Sequence, residues 1–141
     1  MQICVIDGQG GGIGSLVIKK LRETFEESVE ITALGTNAIA TTQMLKAGAN
    51  RGATGENAIV RTVEQADIII GPMAIVLAHA MMGEVTPPIA EAIAASHAKK
   101  FLIPLSREDV YVVGLPHTPL PPLIDILIEK HLKGLVTKAD T

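Results

Sequence analysis

The stretch that most constrains the fold is the start of the chain, where an apolar run meets a cluster of glycines. Residues 2–6 (QICVI) form a short apolar run that ends at Asp7 and Gly8. A run of this length bounded by glycine is typical of a strand buried in a parallel sheet. Residues 13–25 follow with apolar side chains at helical spacing. We therefore predict a strand, a glycine loop and a helix in direct succession.

Strand and helix patterns alternate along the rest of the chain. Thr36 or Asn37 can cap a second helix that ends at Lys46. The other predicted strands are residues 29–34, 58–61, 67–70, 101–105 and 110–113. The other predicted helices are one turn from residue 62, a buried helix over residues 73–82, and helices over 86–97 and 121–132, the last stopped at Gly134. This alternation predicts an α/β fold, a Rossmann-like three-layer sandwich with a mostly parallel sheet and the first strand central.

Length and composition favour one packed domain. The 141 residues fall in the range of a single domain, and 48% of them are hydrophobic, enough for a core. We predict one Rossmann-like domain over residues 1–141, with a frayed tail at 135–141. A chain this short with this hydrophobic content is expected to leave apolar surface exposed unless it associates, so we also predict a homodimer. The apolar stripe of the last helix is interpreted as core or as a surface that pairs subunits (Leu123, Ile124, Leu127 and Ile128).

Composition excludes several classes of partner. The aromatic residues are Phe25, Phe101 and Tyr111, too few for a base-stacking platform, and the net charge of -3 disfavours nucleic acid. No apolar run reaches the ~18 residues that span a bilayer. The chain starts with a strand pattern instead of a signal peptide, so we expect a cytoplasmic location and no membrane partner. The single cysteine, Cys4, is expected to be a buried apolar residue.

The glycine loop, residues 7–15 (DGQGGGIGS), carries the functional signal. Glycine lets the chain turn sharply out of a strand and leaves no Cβ in the way of a phosphate at the helix N-terminus. Gly12 and Gly14 are expected to make the closest approach. An acidic residue, Asp7, precedes the loop and would repel a phosphate unless a cation intervenes or its side chain turns away. The predicted phosphate-binding residues in this loop are Gly8, Gly10, Gly11, Gly12, Ile13, Gly14 and Ser15.

Three further segments are expected to meet the loop at the carboxyl edge of the sheet, where α/β proteins bind ligands. They are residues 35–37, 71–73 and 106–109. Thr36, Asn37, Gly71 and Pro72 therefore join the predicted binding site. The irregular stretch 48–57 is interpreted as a loop whose Arg51 provides a second clamp on the phosphate.

The spacing of the loop glycines resembles the cofactor loop of short-chain dehydrogenases. Glycines 8, 12 and 14 fit G-x-x-x-G-x-G, whereas G-x-G-x-x-G places its first glycine on Gln9. The resemblance implies a nucleotide or dinucleotide ligand, with NAD or NADP as the cofactor left open. It does not extend to the reaction, since Tyr111 is followed by Leu115 where that family has lysine. No acidic residue follows the second predicted strand to bind the ribose hydroxyls of NAD.

The whole chain is similar to a family of short bacterial proteins of unknown function with a Rossmann-like domain. The segments that carry this resemblance are residues 5–14 (VIDGQGGGIG), 45–49 (LKAGA), 52–58 (GATGENA) and 67–72 (DIIIGP). It runs from Met1 to about Gly114 and implies a fold without a reaction.

Catalytic residues stay open at this point. His79 is interpreted as a packed or helix-end residue, and the histidines lack metal-ligand spacing. Two hypotheses remain: a protein that binds a nucleotide or dinucleotide phosphate, and a non-catalytic regulatory or interaction module on the same scaffold.

Overall fold

A computed structural model of the chain describes residues 1–105 and 108–140, of which 137–140 are described by their backbone alone. In these residues the strands are β1 (Gln2–Asp7), β2 (Glu30–Gly35), β3 (Arg51–Thr54), β4 (Ile68–Pro72) and β5 (Lys99–Ile103). The helices are α1 (Gly12–Phe25), α2 (Ala38–Lys46), α3 (Glu56–Thr62), α4 (Pro87–Ala95), α5 (Leu120–Ile126) and α6 (Lys133–Asp140). A π-helical stretch, Leu127–Leu132, joins α5 to α6. Short 3-10 turns cover Glu26–Ser28, Val63–Gln65 and Met73–Val76.

The five strands form one parallel sheet in the order β3-β2-β1-β4-β5, with β1 in the centre. This confirms the predicted α/β fold and the central position of the first strand. The chain builds β2 and β3 on one side of β1 and then crosses to build β4 and β5 on the other. The order of the strands therefore reverses between β1 and β4, and such a reversal leaves a crevice at their carboxyl ends.

The core lies on both faces of the sheet, because successive side chains of β1 point to opposite sides. Ile3 and Val5 pack with α1 and the C-terminal helices, whereas Cys4 and Ile6 pack with α3 and α4. Cys4 is fully buried, as expected from the sequence, and burial raises the pKa of its thiol to about 11. The three layers of the predicted sandwich are thus helices, sheet and helices.

Two predictions between residues 48 and 61 are wrong. Residues 51–54, interpreted as loop, form the edge strand β3, whose side chains are mostly exposed. Residues 58–61, predicted as a strand, belong to helix α3, which buries Ile59. Gly55, with φ of 99°, makes the turn between the two elements.

Three further predictions need correction. Residues 73–82 form a 3-10 turn followed by irregular backbone instead of a buried helix, and residues 110–113 form no strand. The last helix continues through Gly134 to Asp140. The fraying predicted for 135–141 stays a prediction, and Thr141 lies outside the described residues.

Candidate functional site

An open cleft of about 830 Å³ lies at the carboxyl ends of β1 and β4. One wall is the glycine loop, residues 7–13, and the other is formed by residues that follow β4. Leu105 and Glu108 line its far end, beyond β5. This is the position that the strand order predicts, so the loop and the end of β4, including Pro72, come together as expected. Ser106 and Arg107, in the other segment expected here, lie outside the described residues.

Three glycines of the loop are closely packed. Gly11 has a φ of 72°, in the left-handed region, and a Cβ there would lie 2.9 Å from the backbone of Ala40. A Cβ on Gly14 would lie 2.6 Å from the sulfur of Met44, and one on Gly8 would collide with the Thr36 hydroxyl. Gly14 therefore packs α1 against α2 and is not among the residues that line the cleft, although it was predicted to approach the ligand.

Gly10 and Gly12 have no such packing role. A Cβ at either position would meet no atom within 4 Å, and neither residue has a left-handed φ. Both residues are exposed and line the cleft. Within the described residues, neither backbone amide donates a hydrogen bond. These two amides are the part of the loop that remains available to a ligand.

Asp7 is turned beneath the loop and is buried, with 3% of its surface exposed. Its Oδ1 accepts a hydrogen bond from the Gly8 amide and its Oδ2 one from the Gly14 amide, both at 2.8 Å. Burial raises the pKa of Asp7 above its usual value, and the backbone hydrogen bonds offset only part of that rise. The carboxylate thus occupies part of the helix N-terminus that we expected to hold the phosphate.

Ser15, another predicted phosphate-binding residue, is not among the residues that line the cleft. Its hydroxyl and its amide both donate to the carbonyl oxygen of Gly11, at 2.6 and 2.9 Å. The predicted row of amides from Gly10 to Ser15 is therefore reduced, because Gly11, Gly14 and Ser15 already donate within the protein.

Glu84 ties three separate segments together beside the loop. Its Oε1 accepts hydrogen bonds from the Gln9 amide at 2.8 Å, the Thr36 hydroxyl at 2.7 Å and the Asn37 side-chain amide at 2.8 Å. Partial burial alone would raise the pKa of Glu84, but these hydrogen bonds outweigh it and hold the pKa below its usual value. Thr36 and Asn37 lie at the end of β2 as predicted, yet both side chains are engaged inside the protein. Asn37 also caps α2 through Ala40.

The segment after β4 brings strained backbone to the cleft. His79, Met81 and Met82 have φ values of 70°, 57° and 56°, which residues other than glycine seldom adopt. All three line the cleft, and His79 is exposed instead of packed in a helix. The Met81 amide donates to Oε1 of Glu108 at 3.0 Å, which links this segment to the far end of the cleft. Strain of this kind concentrates at functional sites in proteins.

Arg51, predicted as a second clamp on the phosphate, lies away from the cleft. It begins β3, so it lies at the amino edge of the parallel sheet, opposite the edge that forms the cleft. Its guanidinium donates to Thr32 and to Gln2, both at 3.2 Å. Gly71 also has a packing role, because a Cβ there would collide with the carbonyl oxygen of Ile6.

Metal clusters and membrane-spanning helices were sought in the described residues. No group of three or more His, Cys, Asp or Glu side chains is placed to hold a metal ion in this part of the chain. Of the helices described, none has the length and apolar character needed to cross a membrane.

The fold and the cleft define an α/β protein with a Rossmann-like sheet and a cleft at its switch point. Residues 2–136 match the family model described as Domain of unknown function (DUF3842), so the chain belongs to that family. This confirms the resemblance to an uncharacterised family. No curated protein matches the chain. Among solved structures, it is similar to a dodecameric FMN-dependent Ubix-like decarboxylase from Escherichia coli O157:H7. The TM-score is 0.49 and the identity 15%, over 92% of this chain and 75% of that chain.

Proposed function

We propose that the chain binds a nucleotide in the cleft, with a phosphate group against the amides of Gly10 and Gly12. The observation that carries the proposal is that these two glycines face the cleft without any packing or backbone reason to be glycine. A side chain at either position would occupy the space through which a ligand approaches the backbone. The start of α1 adds the positive end of the helix dipole.

The phosphate supplies only part of the binding free energy in this proposal. Asp7 lies beneath the loop and offsets the field of the helix, and the described residues place no lysine or arginine on the cleft lining. The opposite wall offers apolar contacts from Pro72, Ala74 and Met81. We therefore expect the base or ring of the ligand to pack there, as in most small-molecule sites, and inorganic phosphate alone to bind weakly.

The test is a thermal-shift screen followed by titration calorimetry. The screen uses NAD, NADP, FMN, ADP and phosphate, since a ligand at ~100 times its Kd adds ~2.7 kcal/mol to stability. Gly12→Val should then weaken binding of the best ligand at least about tenfold, equivalent to ~1.4 kcal/mol. Because a Cβ at Gly12 meets no atom, this variant should fold as wild type does by circular dichroism. The φ of Gly12 is not left-handed, so valine there is not expected to strain the backbone.

A matched control is Gly134→Ala, a helical glycine in α6 that also faces open space and does not line the cleft. It should bind as wild type does. Unchanged affinity in a folded Gly12→Val protein would mean that the loop is a packing turn.

A second candidate is the non-catalytic regulatory or interaction module. One observation favours it: Asp7 already accepts the Gly8 and Gly14 amides, so the loop is partly satisfied without a ligand. On this interpretation no compound in the screen shifts the melting temperature.

We also propose a homodimer, formed through the segment that follows β5. Tyr111 and Val113 are 83% and 97% exposed, and Leu115 is 55% exposed, which makes a contiguous run of apolar side chains. The stripe of the last helix supplies no such surface, because Ile124, Leu127 and Ile128 are buried in the chain's own core. A cytoplasmic location is likewise a proposal, supported by the lone, buried Cys4 thiol.

A further inference from the structure

The cleft extends to one side of the glycine loop only. A dinucleotide on a Rossmann-type sheet lies across the carboxyl edge on both sides of the first strand, with one ribose near the end of the second strand. Here the described lining consists of residues that follow β1, β4 and β5, and it includes neither Thr36 nor Asn37 at the end of β2. The side toward β4 is open, and the side toward β2 is not part of the cleft.

Glu84 closes the β2 side. Its Oε1 holds the Gln9 amide, the Thr36 hydroxyl and the Asn37 amide at 2.7 to 2.8 Å, so the polar groups that would meet a ribose there are engaged. The same closure is tight over Gly8, where an added Cβ would lie 2.6 Å from the Met81 sulfur and 3.0 Å from Oε1 of Glu84.

The negative charge of Glu84 also disfavours the second half of a dinucleotide. A second phosphate, or the 2′-phosphate of NADP, would come to lie beside this carboxylate and be repelled. The opposite outcome, a dinucleotide held by Glu84, would depend on the second carboxylate oxygen of this residue. Oε2 of Glu84 accepts no hydrogen bond from the described residues, so a ribose hydroxyl could donate to it. A dinucleotide would then bind more tightly than its half.

We propose that the cleft selects a mononucleotide and provides no site for the second half of a dinucleotide, with Glu84 as the residue that determines this selectivity. The inference rests on the proposed nucleotide-binding function and narrows its ligand class. In this arrangement a single phosphate lies against the Gly10 and Gly12 amides, and the base or ring of the nucleotide packs toward the apolar wall after β4.

The first experiment compares mononucleotides with the dinucleotides that contain them, by titration calorimetry on the full chain. The pairs are nicotinamide mononucleotide with NAD, and FMN with FAD. We expect one mononucleotide to bind, and its dinucleotide to bind no more tightly. A dinucleotide that binds more than threefold tighter than its half would overturn the inference while leaving the nucleotide site intact. Absence of binding by all four compounds and by ADP would overturn the proposed function, and this inference with it.

The second experiment changes Glu84. Glu84→Ala removes the acceptor that holds the β2 side closed, whereas Glu84→Gln keeps a carbonyl oxygen for the same donors and serves as the control. Affinity for the dinucleotide relative to its mononucleotide half should rise at least threefold in Glu84→Ala and by a smaller factor in Glu84→Gln, which loses the charge but keeps the acceptor for the three hydrogen bonds. An unchanged ratio in folded Glu84→Ala would show that Glu84 does not determine the selectivity. If that variant fails to fold, the wild-type comparison decides the inference by itself.

Discussion

Asp7 places a carboxyl group where the protein interior disfavours its charged form. Burial raises its pKa, so the folded chain binds the Asp7 proton more tightly than the unfolded chain does. Stability then falls as pH rises from the unfolded pKa through the folded one, and the loss is complete above the folded pKa. This direction is opposite to that of a carboxylate whose folded pKa is lowered, such as Glu84.

The prediction for Asp7 is a measurable pH dependence. The free energy of unfolding, from urea titrations of wild type and Asp7→Asn, is measured from about pH 3 to about pH 7, around the usual aspartate pKa of ~3.9. Because asparagine does not titrate, wild type minus variant isolates the carboxylate, and this difference should decrease as pH rises. An increase would mean that the hydrogen bonds from Gly8 and Gly14 outweigh burial.

Single residues also explain which parts of the site could be predicted. The glycine loop is local, so its position after a strand and before a helix could be predicted from adjacent residues. Glu84 could not, since it lies 48 residues from Thr36 and its role arises only when β2 and the segment after β4 meet at one edge. Arg51 was misplaced because its interpretation as a loop residue ignored the strand that it begins.

At the scale of elements, Arg22 connects the end of α1 to the elements that follow it. Its guanidinium donates to the carbonyl oxygens of Gly48, Glu26 and Val29 at 2.8 to 2.9 Å, and to the side chain of Asn50. One side chain thus joins α1 to the start of β2 and to the turn between α2 and β3. These bonds satisfy carbonyl groups near the end of a helix that would otherwise need water.

Arg22→Lys should therefore be destabilising, because an ammonium group cannot reproduce the fork geometry of the guanidinium. Hydrogen bonds to charged groups contribute ~1.5–3 kcal/mol, and we expect a loss in that range from urea unfolding. The control is Lys20→Ala on the same helix, whose exposed pair with Glu23 at 3.8 Å should contribute about 1 kcal/mol or less. Equal effects of the two variants would contradict this account of Arg22.

Among the strands, those predicted most closely are the ones with a continuous burial signal. β1 and β4 are buried almost throughout, and both read as apolar runs. β3 carries no such signal, because an exposed edge strand of four residues needs neither alternation nor apolar content. Residues 73–82 are apolar enough for a helix, but His79, Met81 and Met82 take left-handed backbone that composition does not encode. Residues 110–113, three valines and a tyrosine, are typical of a strand yet find no strand to pair with in the described residues.

At the scale of the whole molecule, the exposed run after β5 predicts the assembly. Val113→Lys should convert the proposed dimer to a monomer at roughly tens of micromolar, where specific interfaces hold. The substitution should not change the free energy of unfolding of the monomer, because the Val113 side chain is 97% exposed. Size-exclusion chromatography with light scattering measures the mass of each form.

Ile39→Lys is the matched control, since Ile39 is an exposed apolar residue on α2, and this variant should remain dimeric. Tyr111 is the only tyrosine in a chain without tryptophan, so its emission should change on dilution as the interface separates. A monomeric wild type would contradict the proposal.

The buried Cys4 thiol reports when the central strand β1 leaves the sheet. The chain has one thiol, it lies at the centre of β1, and a pKa of about 11 leaves almost none of it as thiolate near neutral pH. A maleimide pulse should therefore label the protein only while β1 is out of the sheet, once per molecule, as a single mass increment. The labelling rate in native buffer should approach that of global unfolding, since the innermost strand opens last. Labelling much faster than unfolding would reveal a partly open state in which β1 has separated from β2 or β4.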